Sequence, residues 1–160
     1  MSQLSSSLLT EGRPFPQFSL PNQDKKTVQL ADLAGKWFVL YVYPKDDTPG
    51  CTLEGRGFSK AKPEFDKVDV SVFGLSQDDV ASHKDFCDKF SFTIPLLADT
   101  RAELLKALGV GQDEYKGKMY WNRVTFIVDP KGVIRKVYPA VKPEGHEAEV
   151  LADLKRLMHG

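Results

Sequence analysis

The sequence predicts an α/β fold in which a mixed central sheet is flanked by helices. Three features predict it. Trp37 to Tyr43 is a continuous apolar run rich in β-branched and aromatic residues, as expected for a strand buried on both faces. Strand-like and helix-like segments alternate through the middle of the chain, the pattern of a sheet covered by helices. Hairpin signals stand at both ends, so the strands cannot all be parallel.

The elements follow in order. Phe15 to Leu20 alternates apolar and polar residues, and Pro21-Asn22-Gln23-Asp24 supplies turn chemistry before Val28 and Leu30, giving an N-terminal β-hairpin. The core run ends at Pro44, and Lys45 to Gly50 reads as a loop. A helix is expected from near Cys51, with Glu54 in its first turn, where the helix dipole favours a carboxylate. Val70 to Leu75 reads as a second core strand. Asp78 to Phe90 has helical periodicity, with Val80, His83, Cys87 and Phe90 along one side. His83 is expected at the surface or boundary of that helix.

Ile94 to Leu97 reads as a short strand, and Thr100 to Leu108 as a helix stopped by Gly109. Val124 to Val128 and Val133 to Tyr138 form a hairpin across Asp129-Pro130-Lys131-Gly132. Glu147 to Met158 closes the chain as an amphipathic helix, with Val150, Leu151, Leu154 and Leu157 inward. Residues 1–160 read as one domain, with the first dozen loosely held.

Composition narrows the function. Lys+Arg and Asp+Glu both number 22, and this balance argues against nucleic acid or an anionic membrane as the main partner. No stretch approaches the ~18 apolar residues that cross a bilayer, and the N-terminus lacks the regions of a signal peptide, so a cytoplasmic protein is expected. Cys51 and Cys87 are the two cysteines, and they do not form a C-x-x-C pair. His83, His146 and His159 are scattered and show no zinc spacing, so no metal or cofactor is expected.

The chemistry concentrates in Tyr43-Pro44-Lys45-Asp46-Asp47-Thr48-Pro49-Gly50-Cys51-Thr52-Leu53-Glu54. A strand ends, a loop follows, and a cysteine falls near a helix N-terminus, where unpaired amides and the dipole stabilise a thiolate. The Thr48 hydroxyl is available to that thiolate or to a bound oxygen.

The pattern Pro44-x-x-x-Thr48-x-x-Cys51 resembles the signature of peroxiredoxins, and the surrounding YPKDDTPGCT is similar to their bacterioferritin-comigratory, PrxQ-like branch. The resemblance runs from about Gly12 to the C-terminus. It includes Asn122-Arg123-Val124-Thr125-Phe126, similar to the family's Arg-x-Thr-Phe strand, and Phe92 to Asp99. It implies a thioredoxin-like fold with an added N-terminal hairpin, and a thiol peroxidase acting on hydrogen peroxide and organic hydroperoxides. By resemblance, Cys51 attacks the peroxide and becomes a sulfenic acid. Thr48 and Arg123 hold the thiolate and the peroxide oxygens, Pro44 shields the intermediate, and Glu54 orients the arginine. Glu54 is equally explained as a helix-start carboxylate. Tyr120 and Trp121 either border the site near Arg123 or pack as ordinary aromatics.

A low thiol pKa cannot carry such a reaction alone. Lowering it from ~8.5 to ~6 raises the thiolate fraction at pH 7 roughly thirtyfold. The same change weakens nucleophilicity about tenfold if the exponent for thiol exchange applies. Most acceleration must then come from orienting the O–O bond and stabilising the departing oxygen, which demands donors.

In much of the resembled branch a resolving cysteine lies five residues after the first, and here that position is Arg56. Cys87, 36 positions on (87 − 51), matches the branch's minority pattern, with the resolving cysteine on the next helix. An intramolecular Cys51–Cys87 disulfide is implied, reduced in turn by thioredoxin or glutaredoxin, with the protein a monomer. Cys87 also shares a face with Val80 and Phe90, so a plain core thiol stays open. A disulfide needs Cα atoms within ~7 Å, and thiols on separate helices reach that only if a segment unwinds.

Two other readings compete. A general thiol–disulfide oxidoreductase on the same fold would reduce insulin without peroxide, though the missing C-x-x-C speaks against it. A non-enzymatic redox sensor or holdase would react with peroxide once and stop, whereas an enzyme turns over.

Overall fold

The structure, a computed structural model, describes residues 7–159. Its N-terminal hairpin pairs β1 (Ser19–Pro21) antiparallel with β2 (Thr27–Gln29). A 3-10 turn at Leu30–Leu33 leads into β3 (Trp37–Val42). Then come α1 (Pro49–Lys67), β4 (Val70–Ser76), α2 (Val80–Phe90), β5 (Leu96–Ala98) and α3 (Glu103–Ala107). A second hairpin, β6 (Gln112–Tyr115) and β7 (Lys118–Trp121), precedes β8 (Val124–Val128), β9 (Ile134–Tyr138) and α4 (His146–His159).

The main sheet has the order β5-β4-β3-β8-β9. β3, β4 and β5 are parallel, while β8 runs antiparallel to both β3 and β9. β3 is central, as its sequence demands. Its side chains alternate between two cores. Phe38, Leu40 and Val42 face Phe15, Phe18, Leu104 and Leu105, from the N-terminal segment and α3. Val39 and Tyr41 face Phe58, Phe86, Val150 and Leu154, from α1, α2 and α4. Both faces are therefore covered, and none of the five residues Phe38 to Val42 is more than 1% exposed.

Several boundaries differ from the sequence reading. α1 starts at Pro49, because the ring's fixed φ suits the first helical position, so Glu54 falls in the second turn rather than the first. α3 starts at Glu103 instead of Thr100, since Ala102 takes a left-handed conformation (φ 57°) that no helix continues through. The hairpin of β6 and β7 was not anticipated. Its side chains are mostly exposed, so no core-facing alternation marks it. The usable signal was Lys116-Gly117, whose two positive φ angles make the tight turn.

Residues 7–12, expected to be loose, are tied down; residues 1–6 lie outside the described range. Leu9 N donates to Leu108 O at 3.0 Å, Gly12 N to Ile134 O at 2.8 Å, and Val137 N to Glu11 Oε2 at 2.8 Å. His83 is fully buried on α2 instead of lying at the surface. Val150 and Leu154 are buried on α4, while Leu151 and Leu157 are half-buried. Among the described residues, no helix is long and apolar enough to cross a membrane.

Gly74 in β4 is a point of close approach. A Cβ there would stand 2.6 Å from Leu96 Cδ2 and 2.9 Å from the Tyr41 ring, both held in the core. Gly74→Ala should therefore lower stability by about 1–3 kcal/mol through overpacking, read as a reduced urea midpoint at unchanged slope.

Candidate active site

The register of β3 and β8 creates the site. Val42, the last residue of β3, pairs with Val124, the first of β8. Arg123 therefore enters beside the point where the chain leaves β3 for α1. The connecting loop runs from Tyr43 to Thr48. Thr48 is the N-cap residue of α1, Pro49 occupies the first position, and Cys51 lies in the first turn.

Thr48 makes no side-chain capping bond, although threonine commonly does. The Gly50 and Cys51 amides have no hydrogen-bond acceptor among the described residues, and the first helical bond runs from Thr52 N to Thr48 O at 2.8 Å. Two N–H groups are thus left without an intrahelical partner in the first turn of α1, the turn that carries Cys51, at the positive end of its dipole.

Arg123 completes the arrangement by reaching two acids with one guanidinium. Nη2 donates to Cys51 Sγ at 3.3 Å, and Nη1 donates to Glu54 Oε1 at 3.0 Å. Cys51 and Glu54 are each only 1% exposed. Gly50 leaves the guanidinium its space, because a Cβ at that position would meet Arg123 Nη2 at 2.5 Å. The sequence reading did not single out Gly50; its place directly before Cys51 was the signal.

Burial pushes the Cys51 thiol up from its ordinary value. The Arg123 charge opposes this most, followed by the Thr48 hydroxyl, a Lys45 backbone hydrogen bond and the Arg123 hydrogen bond. Thr48 Oγ1 donates to Lys45 O at 2.8 Å. A hydroxyl has one proton, so Thr48 helps a thiolate only by turning that proton from the carbonyl to the sulfur. Burial also raises the Glu54 carboxyl to about 7 against the pull of Arg123. Glu54 Oε2 has no hydrogen-bond partner among the described residues.

Pro44 and Lys45 line a surface cavity with Gln77, Tyr120 and Trp121, and the Trp121 indole donates to Gln77 Oε1 at 2.8 Å. The two aromatics thus border the loop at Pro44. Cys87 lies on α2, 5% exposed, in the same apolar cluster as Cys51. Both cysteines are free thiols. Burial, then the Asp46, Asp24 and Asp88 carboxylates, push the Cys87 thiol up to about 12.

Residues 12–137 match the model of the AhpC/TSA family. The chain belongs to that family. It is a peroxiredoxin, similar along most of its length to others of the Bcp and PrxQ kind. Peroxiredoxin Bcp of Xanthomonas campestris is 42% identical over 128 residues, 76% of this chain and 78% of the relative. The chloroplastic peroxiredoxin Q of Triticum aestivum is 38% identical over 150 residues, 93% of this chain and 68% of the relative. A crystal structure of a cysteine-to-serine mutant of Xylella fastidiosa PrxQ superposes with a TM-score of 0.90 at 34% identity, covering 95% of this chain and 99% of that one. The α/β architecture is thus the thioredoxin-like peroxiredoxin fold, and the chain is a thiol peroxidase.

In this peroxiredoxin Glu54 couples the site to stability. Its folded pKa is raised, so the native state holds the proton more tightly than the unfolded chain does. The resulting stability is complete below the ordinary carboxyl value of 4.5 and is lost as pH rises through about 7. That interval corresponds to about 3 kcal/mol. Between pH 4 and pH 8 the wild-type protein should lose roughly that much relative to Glu54→Gln, measured by denaturant unfolding at each pH. Parallel pH profiles for the two proteins would refute the assignment.

Proposed function

We propose that this peroxiredoxin reduces hydrogen peroxide and organic hydroperoxides through Cys51 and resolves the product with Cys87. The observation that carries the reading is the contact of Arg123 with a buried Cys51 sulfur in the first turn of α1. In the first step the Cys51 thiolate attacks the terminal, hydrogen-carrying oxygen of ROOH. The O–O bond breaks, Cys51 becomes a sulfenic acid, and RO⁻ takes up a proton to leave as ROH. Arg123, the Thr48 hydroxyl and the Gly50 and Cys51 amides are the donors for the oxygen that gains charge. Glu54 fixes the plane of the guanidinium, and Pro44 covers the loop side of the sulfur.

In the second step the Cys87 sulfur attacks the sulfenic sulfur, giving a Cys51–Cys87 disulfide and water. Two electrons and two protons from a dithiol, thioredoxin or glutaredoxin, then restore both thiols. The raised pKa of Cys87 bears on this step. Opening α2 would return Cys87 from about 12 to an ordinary value. Its thiolate fraction at pH 7 would rise roughly a thousandfold, for a net rate gain of about thirty- to sixtyfold once lost nucleophilicity is counted. Unwinding of α2 thus serves reactivity as well as reach. Single cysteine-to-serine mutants of Xanthomonas campestris peroxiredoxin Q have been solved at two positions with the spacing that separates Cys51 from Cys87. Another structure of that organism's protein concerns its alkyl peroxide reduction. Both support the reading, which includes a monomeric enzyme working in a reducing compartment such as the cytoplasm.

Intact mass after one equivalent of peroxide provides the test. The wild-type protein should lose two hydrogens and yield a peptide joining Cys51 to Cys87. Cys51→Ser should not react, and Cys87→Ser should stop at the sulfenic acid and pass to the sulfinic acid with more peroxide. Full thioredoxin-linked turnover by Cys87→Ser would overturn the resolving role.

Arg123→Ala should slow peroxide consumption about 10²- to 10³-fold, the range for loss of one transition-state donor. A loss fully recovered by raising the pH would mean that Arg123 acts only on the thiol pKa.

A further inference from the structure

Between Pro44 and Thr48 the loop sends one side chain into the protein. Asp46 is 6% exposed and heavily bonded. Its Oδ1 accepts from the Tyr43 hydroxyl at 2.6 Å, and its Oδ2 accepts from the Ser82 hydroxyl at 2.8 Å. Oδ2 also lies 2.7 Å from His83 Nδ1. The Asp46 amide donates to Asp78 Oδ2 at 2.8 Å, just before α2 begins. Ser82 and His83 occupy the first turn of α2, and His83 precedes Cys87 by one helical turn.

Proton counting makes the His83 contact a strong one. His83 is 0% exposed, and its Nε2 lies 3.0 Å from the Leu97 carbonyl oxygen. A carbonyl only accepts, so Nε2 carries a hydrogen. Nδ1 and Asp46 Oδ2 therefore hold a further proton between them, in a charge-assisted hydrogen bond away from water. A second bridge between loop and helix, Lys89 to Asp47 at 2.9 Å, has both side chains at least half exposed and is correspondingly weak.

We propose that His83 and Asp46 are positioning residues that latch α2 to the loop preceding Cys51, and that release of this latch sets the rate at which Cys87 reaches the oxidised Cys51. The inference rests on the reading of Cys87 as the resolving thiol. The contact exists only while α2 is closed, because Asp46 and His83 are hydrated separately once the helix leaves. Removing His83 strands a carboxylate in the core of the closed form and leaves the open form unaffected, so the open population grows. Latch strength then divides the sulfenic acid between two fates: condensation with Cys87, or a second peroxide oxidation to the sulfinic acid.

The test mixes reduced wild-type, His83→Ala and Asp46→Asn proteins with one equivalent of hydrogen peroxide, quenches at intervals and reads sulfenic acid and disulfide by intact mass. Disulfide formation in His83→Ala should be about tenfold faster, as expected when one charge-assisted bond is lost from the closed form, while peroxide consumption stays within about threefold. Asp46→Asn should fall between, because its amide can donate to Nδ1 and keep a neutral hydrogen bond. Should His83→Ala not fold, Asp46→Asn carries the comparison. Sulfinic acid should require more peroxide in both variants, a partition that a merely structural role would not move. In the reduced proteins, α2 amides should exchange hydrogen faster in the variants.

Disulfide formation at the wild-type rate or slower, with α2 exchange unchanged, would overturn the latch. Wild-type protein that forms no Cys51–Cys87 link would instead overturn the resolving role. The exchange of α2 would then still decide whether His83 and Asp46 hold the helix.

Discussion

The Arg123 guanidinium holds two buried acids at once, and the arrangement of the site follows from that constraint. Cys51 and Glu54 are separated by one turn of α1, and each takes one edge of the same cation. Burial raises both groups, and the shared charge opposes burial at both. One positive charge cannot fully offset two negative ones in a low-dielectric site, so near neutrality the pair competes for it. The cation must also lie close, and Gly50 is the position that permits it.

That closeness depends on topology. Arg123 is distant from Cys51 in sequence, and only the antiparallel pairing of β8 with β3 brings it to the end of the central strand. The same end carries the loop and the free amides of α1. Neighbouring strands, a helix start and one cation thus converge on a single sulfur. The burial of β3 on both faces secures this geometry, because a slip of one residue would exchange Phe38, Leu40 and Val42 with Val39 and Tyr41.

The two cysteines face opposing demands. Cys87 is packed in the same apolar cluster as Cys51, and its surroundings keep it protonated. Such packing protects a thiol but makes it a poor nucleophile. In the proposed cycle a closed helix favours capture of peroxide, and an open one favours the disulfide. The loop from Tyr43 to Thr48 runs into α1 at its N-cap residue Thr48 and is bonded to α2 through Asp46, so the proposed latch joins the two helices through one loop.

The sequence by itself determined the strand core, the hairpins at either end of the main sheet and the cysteine at a helix start, because apolar periodicity, turn residues and Pro49 act locally. It also marked Arg123 and Glu54, and their pairing, through similarity to a family motif, while local pattern left Glu54 equally explained as a helix-start carboxylate. Tertiary structure decided what depends on distant partners. It buried His83, which helical periodicity alone left at a boundary, by setting Asp46 and Leu97 O on either side of its ring. It raised Glu54 and Cys87, since desolvation is a property of the packed interior. The hairpin of β6 and β7 escaped detection for the converse reason: its faces are mostly exposed, and only a turn dipeptide marks it.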